Sequence, residues 1–326
     1  MDSFHIPVLL KEVLHYLIPK KGGGVYIDCT LGGGGHSKAI LERIYPDGLL
    51  IGIDRDIEAI KAARKELSNF LDRAILIRDN FKNLEEILSN LKIKVASGVL
   101  FDLGVSSHQL RERERGFSFR EDGHLDMRMD PTQKFNASTL INNYTEEELV
   151  RIFGKYGEER FSKRIARLIV LERQKNPITT TKQLADLVIR ALPKAKKRGR
   201  WRIHPATRVF QAIRIEVNQE LDLLEKSLNQ AIKVLEDKGR ICVISYHSLE
   251  DRIVKNVFKK AEREKVAKEN YGLKIITKKP IRASQEEIKR NPKARSAKLR
   301  VAAVSYTHLR AHETPEHLVC RLLLEK

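Results

Sequence analysis

A glycine-rich loop between two short apolar segments constrains the fold of this chain more than any other feature. The β-prone residues 25–27 lead into Asp28, and four consecutive glycines at 32–35 precede a helix-like run that begins near Ser37. Glycine carries no Cβ and tolerates positive φ, so such a loop bends tightly and lets a ligand approach the backbone. A second apolar segment ends in Asp54, where a carboxylate can accept hydrogen bonds from ribose hydroxyls. The pattern predicts the nucleotide-binding half of a doubly wound α/β fold.

The same alternation continues along the first third of the chain. Predicted strands lie at 25–29, 49–54, 74–78 and 97–102, after a first helix at 6–18 and with helical runs at 37–44, 56–69 and 83–92. Parallel strands joined in this way bring ligands to their carboxyl ends. Each predicted strand is closed or followed by a carboxylate, in order Asp28, Asp54, Asp79 and Asp102. A single such aspartate is often only a turn or helix cap, but four in register predict one shared crevice.

These carboxylates receive different expected roles. Asp54 is the predicted ribose acceptor, Asp79 and Phe81 border an adenine, and Asp102 lies nearest to the reacting group. The loop and the aspartates alone fit either a dinucleotide or S-adenosylmethionine.

The strand pattern breaks off between residues 108 and 200, where charged helical segments predominate. A capping box at Thr145 opens one helix, residues 158–174 form another, and Thr181 is predicted to cap a third. The core pattern then resumes with a long helix at 205–236, a strand at 240–245 and a helix at 249–263. We therefore predict a helical domain inserted into the α/β core. The predicted divisions are residues 1–107 and 204–303 for the core, 108–203 for the inserted helical domain, and 304–326 for a tail that looks non-native.

The charge of the chain points to a polyanionic partner. There are 62 Lys+Arg residues against 43 Asp+Glu, a formal net charge of +19. The excess is concentrated in residues 252–300 and in residues 194–202, where Trp201 lies among basic side chains. Such clusters suit phosphate contacts combined with base stacking. No run approaches the ~20 apolar residues that a membrane helix needs, and the N-terminus lacks a signal-peptide pattern, so we expect a cytoplasmic protein.

Several longer motifs closely resemble the bacterial 16S rRNA (cytosine-N4)-methyltransferase family. The resemblance extends from about residue 4 to residue 302. The most specific strings are Asp102-Leu103-Gly104-Val105-Ser106-Ser107, Arg115-Gly116-Phe117-Ser118-Phe119, Asp122-Gly123-His124-Leu125-Asp126-Met127-Arg128-Met129-Asp130, His204-Pro205-Ala206-Thr207-Arg208 and Ser245-Tyr246-His247-Ser248-Leu249-Glu250.

The resemblance implies a Rossmann-like S-adenosylmethionine-dependent methyltransferase core whose helical insert recognises the substrate. The implied substrate is a cytidine in the decoding region of 16S rRNA, within the small ribosomal subunit. The implied donor-binding residues are Gly34, Gly35, His36, Asp54, Phe81, Asp102 and Gln109. A homodimer is compatible with the sequence, which does not fix the oligomeric state.

A further set of residues is predicted to contact RNA. Phe117 or Phe119 would stack on the target base, with packing in a small core as the alternative. His204 and Arg208 would face phosphate, with helix capping as the alternative. The full predicted set is Arg115, Phe117, Phe119, Arg128, Lys196, Lys197, Arg198, Arg200, Trp201, His204 and Arg208.

The catalytic residues are less clearly marked. Asp102 either orients the cytosine amine or contacts the amino-acid part of the donor; the chain has Asp-Leu-Gly-Val at 102–105 where amine methyltransferases often carry a proline-rich motif. His247 is either a proton acceptor or a structural residue, and Ser248 either contacts substrate or caps a helix. No metal is expected, since His308, His312, His317 and Cys320 in the tail lack a second thiol pair.

Two other functions remain open at this point. A nicotinamide-dependent oxidoreductase would share the glycine loop and Asp54, but leaves the basic insert unexplained. A non-catalytic ribosome-assembly factor would explain the charge and leave the donor pocket without a purpose.

Overall fold

A seven-stranded sheet forms the centre of the protein in a computed structural model, which describes residues 7–20, 22–193, 204–264 and 271–306. The strands are β1 (Val25–Asp28), β2 (Leu49–Asp54), β3 (Ala74–Arg78), β4 (Ala96–Asp102), β5 (Leu235–Ser245), β6 (Tyr271–Ile275) and β7 (Lys298–Tyr306). Their order across the sheet is β3-β2-β1-β4-β5-β7-β6. The predicted α/β class and the first four strands are confirmed.

The strand order places a switch point between β1 and β4. Strand β1 pairs in parallel with both β2 and β4. Strands β2 and β3 lie on one side of β1, whereas β4 and the later strands lie on its other side. Ligands of open α/β sheets bind at such a point. Strand β7 runs antiparallel between β5 and β6. The dinucleotide-binding order is 3-2-1-4-5-6, so the antiparallel β7 departs from it and disfavours the oxidoreductase alternative.

The described helices fall into two groups, those that cover the two faces of the sheet and those that pack together in a helical segment. They are α1 (Leu10–Leu17), α2 (Gly35–Arg43), α3 (Ile57–Glu66), α4 (Leu84–Asn90), α5 (Ser107–Arg111), α6 (Ala137–Asn143), α7 (Glu146–Lys155), α8 (Ser162–Arg173), α9 (Thr181–Ala191), α10 (Ala206–Asn218), α11 (Glu220–Lys233), α12 (Ser248–Arg263) and α13 (Gln285–Arg290). Neighbouring strand residues such as Leu50 and Ile51 belong to hydrophobic clusters on opposite faces. Both faces are therefore buried, which explains the continuous apolar runs in the sequence. No helix in these described ranges is long and apolar enough to cross a membrane.

A third hydrophobic cluster holds the helical segment together. Its buried side chains include Phe153, Ile165 and Leu184, from α7, α8 and α9, and also Ile213 from α10. Thr145 caps α7 through a capping box, as predicted, whereas α9 is capped by Thr180 rather than Thr181. The cluster also includes α10, Leu221 and Leu249, so the helical segment packs against residues beyond the predicted boundary at 203, and the domain boundaries stay a prediction.

The predicted long helix at 205–236 is wrong, since the chain forms two helices there. Gln219 has a left-handed backbone with φ of 52°, ends α10 and begins α11. The turn brings Glu220 back to Arg214, which donates two hydrogen bonds to its carboxylate at 2.8 and 2.9 Å. Strand β5 then begins at Leu235, earlier than predicted.

The predicted tail boundary at residue 304 also needs correction. Strand β7 continues to Tyr306, and the Val304 side chain is 1% exposed in the sheet core. Residues 304–306 therefore belong to the fold. Residues 307–326, with the four histidine and cysteine positions considered above, lie outside the described residues.

Candidate active site

A pocket of about 250 Å³ lies at the carboxyl ends of the central parallel strands. The glycine loop after β1, Asp54 at the end of β2 and Asp102 at the end of β4 form one wall. Tyr246, which follows β5, and Lys293 also line the pocket. Asp54, Asp79 and Asp102 thus meet in one crevice, as the sequence predicts.

Asp28 departs from that prediction. It is 1% exposed and buried beneath the pocket, where its Oδ2 accepts a 2.7 Å hydrogen bond from Ser37 Oγ. Its Oδ1 accepts from the Thr30 backbone N–H. Burial raises the pKa of Asp28, and these bonds oppose part of the rise. Asp28 therefore joins β1 to α2 rather than contacting a ligand.

The glycine loop is shaped by backbone conformations that other residues rarely adopt. Gly32 has φ of 51° and lines the pocket with Gly33, Gly35 and His36. Gly34, a predicted donor contact, has φ of 84° and faces α3, where a Cβ would lie 3.3 Å from Ala63. Gly34 therefore has a packing role, whereas Gly32 and Gly33 present their backbone to the pocket.

Asp54 is fixed by two backbone donors. Gly32 N–H donates to its Oδ2 and Asp56 N–H to its Oδ1, each at 2.9 Å. Burial raises the pKa of Asp54 to about 6. The two hydrogen bonds act in the opposite direction, because they favour the charged form of the carboxylate. The carboxylate is thus held at the end of β2 with its remaining lone pairs available to a ligand.

Phe81 provides an apolar wall beyond Asp54. Its ring meets Phe101 edge-on, with centroids 5.8 Å apart and an interplanar angle of 77°. The neighbouring Asp79 accepts hydrogen bonds from Asn80 N–H at 2.6 Å and Asn83 Nδ2 at 2.8 Å. Asp79 thus stabilises the turn that presents Phe81 to the pocket.

The Asp102 carboxylate is contacted by two side chains from distant parts of the chain. Tyr246 Oη donates to its Oδ1 at 2.8 Å, and His36 Nδ1 lies 3.6 Å from its Oδ2. His36 Nε2 lies 3.0 Å from the Val8 carbonyl oxygen, which can only accept, so Nε2 carries a proton. Burial raises the pKa of Asp102, while His36 and Tyr246 oppose part of the rise. Such a carboxylate takes up a proton more readily than an exposed one.

A buried ion pair beside the pocket engages two further predicted site residues. Asp56 is 1% exposed and its Oδ2 accepts 2.8 Å hydrogen bonds from both Gln109 Nε2 and Arg115 Nη2. The Gln109 Oε1 accepts from Ser106 N–H in a capping box. Gln109 lines the pocket, but both ends of its amide already bind protein groups.

Several predicted RNA contacts are likewise engaged within the protein. Arg115 binds Asp56, and Arg128 forms a bidentate pair with Asp126 at 2.7 and 2.8 Å. The Phe117 ring is 8% exposed in the helical cluster, so the packing alternative is correct for this residue. These three side chains position the loop at 115–130 rather than presenting a basic, aromatic face.

Phe119, His204 and Arg208 lie together near the start of α10. The Phe119 and His204 rings are 4.6 Å apart, and His204 Nδ1 accepts from Ala206 N–H at 3.2 Å. Burial lowers the pKa of His204. The exposed Arg208 donates to the Glu158 carbonyl at 3.3 Å. Lys196, Lys197, Arg198, Arg200 and Trp201 lie outside the described residues.

His247 has a structural position. It is the N-cap of α12, with Glu250 N–H donating to its Nδ1 at 3.4 Å, whereas Ser248 is already the first residue of the helix. Its Nε2 lies 3.1 Å from Glu250 Oε1. Burial alone would raise the pKa of Glu250, but His247 and Arg214 hold it below its ordinary value. These contacts support the structural reading of His247 over the catalytic one.

Glu220, His247 and Glu250 also bring possible metal-ligand atoms within 4.8 Å of one another. Arg214 already occupies both oxygens of Glu220, and His247 pairs with Glu250. The Glu220 oxygens are thus already engaged by a protein group, and the cluster is not assigned to a metal.

Sequence reasoning missed Lys293, Glu250, Arg214 and Glu220 as pocket residues. They come from separate helices that only the tertiary fold brings to the crevice. The motif at 245–250 carried a signal for Glu250, but no spacing rule pointed to Lys293.

Comparisons with known proteins show what this chain is similar to. A sequence model of the MraW methylase family matches residues 2–305. The ribosomal RNA small subunit methyltransferase H of Carboxydothermus hydrogenoformans is 49% identical over 311 residues, covering 93% of this chain and 98% of the relative. That of Halothermothrix orenii is 49% identical over 308 residues, covering 91% and 97%. Among solved structures, an rRNA methylase from Streptococcus thermophilus is 10% identical, with a TM-score of 0.40 and coverage of 92% and 99%.

Proposed function

The chain belongs to the MraW methylase family, and we propose that it methylates the N4 amine of one cytidine in the decoding region of 16S rRNA. The proposed donor is S-adenosylmethionine. The observation that carries the proposal is the pocket in which the glycine loop, Asp54 and Asp102 meet. The names of relatives at 49% identity support the substrate class.

The residues of the pocket fit an adenosine-based donor. The Asp54 carboxylate, oriented by two backbone N–H groups, suits the ribose hydroxyls. The Phe81 ring suits the adenine, and the Cβ-free backbone of Gly32 and Gly33 allows close approach. S-adenosylmethionine, when bound, supplies an activated methyl group.

Asp102 is proposed to act on the cytosine amine. The lone pair of this nitrogen is delocalised into the ring, so a hydrogen bond accepted from the amine can favour a reactive geometry. Methylation replaces one N–H hydrogen, and the released proton needs an acceptor. Asp102 lines the pocket, and burial raises its pKa, so its carboxylate can hold that proton. Tyr246 keeps Oδ1 in place while Oδ2 lies towards His36.

The RNA must present an unpaired or flipped cytidine to this pocket. We propose that the helical unit and the basic residues 194–202 hold the surrounding RNA through phosphate contacts. Recognition of folded rRNA within the small ribosomal subunit is the proposed mode, which places the reaction in the bacterial cytoplasm. A homodimer stays a prediction.

Donor binding separates this proposal from the oxidoreductase alternative. Isothermal titration calorimetry should show binding of S-adenosylhomocysteine and none of NAD. An Asp54→Ala variant should lose most of that affinity, while Asp72→Ala, at a side chain 74% exposed, should keep it. Binding of NAD without S-adenosylhomocysteine would refute the proposal.

A further inference from the structure

Lys293 is displayed into the pocket from a rigid turn. It lies in the 3₁₀ turn Pro292–Ser296, shortly before β7, and lines the pocket together with the glycine loop. Ala294 is 1% exposed and Ala297 fully buried, so the turn is anchored on the sheet core just after the lysine. The half-buried Lys293 side chain therefore starts from a fixed backbone.

Arg55 and Arg214 also line the pocket, and both contact other protein groups. Arg55 donates to the Asn218 carbonyl at 3.3 Å, and Arg214 forms its bidentate pair with Glu220. Lys293 interacts electrostatically with Asp102, which favours its charged form, and with Arg111, which disfavours it. Burial lowers the pKa of Lys293 to about 8.

The pocket wall is rich in carboxylates, with Asp54, Asp79, Asp102, Glu220 and Glu250. An anionic group entering at the Asp102 end would be repelled unless a cation lies beside it. The proposed donor carries such a group, because the α-carboxylate of its methionine part is ionised at neutral pH. The ribose acceptor Asp54 and the Phe81 wall define the adenosine end, so this carboxylate is expected at the other end, near Asp102 and Lys293.

We propose that Lys293 binds the α-carboxylate of the methyl donor. This inference rests on the proposed function, because it assigns a residue to the donor of that reaction. RNA phosphates are better served by exposed neighbours on the same segment, such as Lys289 and Arg295, whereas Lys293 is half-buried inside the pocket. Lys293 thus selects ligands that carry an amino-acid part over simple nucleosides.

The test compares two ligands that differ only in the amino-acid part. S-adenosylhomocysteine has the carboxylate, and methylthioadenosine has the same adenosine and a thioether without it. In a Lys293→Met variant, the Kd for S-adenosylhomocysteine should rise roughly tenfold or more, as expected for loss of a charge-assisted hydrogen bond. The Kd for methylthioadenosine should stay within about twofold. The matched control, Lys289→Met, removes an exposed lysine charge and should change neither value.

Several outcomes would overturn the inference. An unchanged Kd for S-adenosylhomocysteine would do so, and so would equal losses for both ligands. An unchanged Kd combined with a raised KM for ribosomal subunits would assign Lys293 to RNA phosphate instead. A Lys293→Arg variant that retains affinity would support the charge-based role and guard against misfolding. If the wild-type protein binds neither ligand, the proposed function itself fails.

Discussion

The buried pair of Arg115 and Asp56 should contribute strongly to stability, and a double-mutant cycle can measure it. Arg115 Nη2 donates to Asp56 Oδ2 at 2.8 Å and to the carbonyls of Arg128 and Met129 at 3.0 and 3.2 Å. Removing one partner of a buried pair costs about 3–5 kcal/mol. Asp56 would keep its bonds from Gln109 Nε2 and Glu58 N–H, so Arg115→Met should cost about 3 kcal/mol, the lower end of that range.

The cycle combines Arg115→Met with Asp56→Asn, each measured by denaturant unfolding. Because the two side chains are in direct contact, the double variant should be more stable than the sum of the single losses predicts, by about 1–3 kcal/mol. Additive losses within about 0.5 kcal/mol would refute the coupling.

The same Arg115→Met variant tests the role of this residue toward RNA. With the guanidinium engaged by Asp56, the salt dependence of RNA binding should keep its slope. A slope reduced by about one would mean that Arg115 contacts a phosphate after all.

Three further predictions follow from the structure. Tyr246→Phe removes the 2.8 Å hydrogen bond to Asp102, so single-turnover methylation should slow about tenfold. The Kd for S-adenosylhomocysteine should stay within about twofold. An unchanged methylation rate would contradict the role of Tyr246 in positioning Asp102. Donor affinity measured by calorimetry should fall as the pH drops through about 6, because the Asp54 carboxylate then becomes protonated and is no longer an anionic acceptor. Asp54→Asn should flatten this pH dependence. Gly34→Ala should lower the free energy of unfolding by about 1–2 kcal/mol, since its φ is 84°. In contrast, Gly154→Ala, in an uncrowded helical position, should raise it by up to about 1 kcal/mol.

The parts of the fold that the sequence predicts well are those with strong local signals. Strands β1, β2 and β4 are largely buried and the edge strand β3 is half-buried, and all four read as apolar runs that lead to a carboxylate. The break between α10 and α11 has no such signal, because the left-handed residue is Gln219 rather than glycine and the apolar periodicity continues across it.

The site divides in the same way. The glycine loop and Asp54 are local to two adjacent strands and are predicted from them. Whether a basic side chain meets RNA or a carboxylate depends on tertiary contacts, and Arg115 and Arg128 both pair within the protein. Lys293 reaches the pocket only because β7 inserts beside β5 and carries the preceding turn to the strand ends.

The reaction itself is tested most directly by methyl transfer to ribosomal particles. The protein is incubated with methyl-labelled S-adenosylmethionine and small ribosomal subunits that lack the modification, and the RNA is then digested to nucleosides. We predict label in N4-methylcytidine, at a single position of 16S rRNA. Label in another nucleoside, or none while S-adenosylhomocysteine still binds, would contradict the account and favour an assembly factor or a different methylation target.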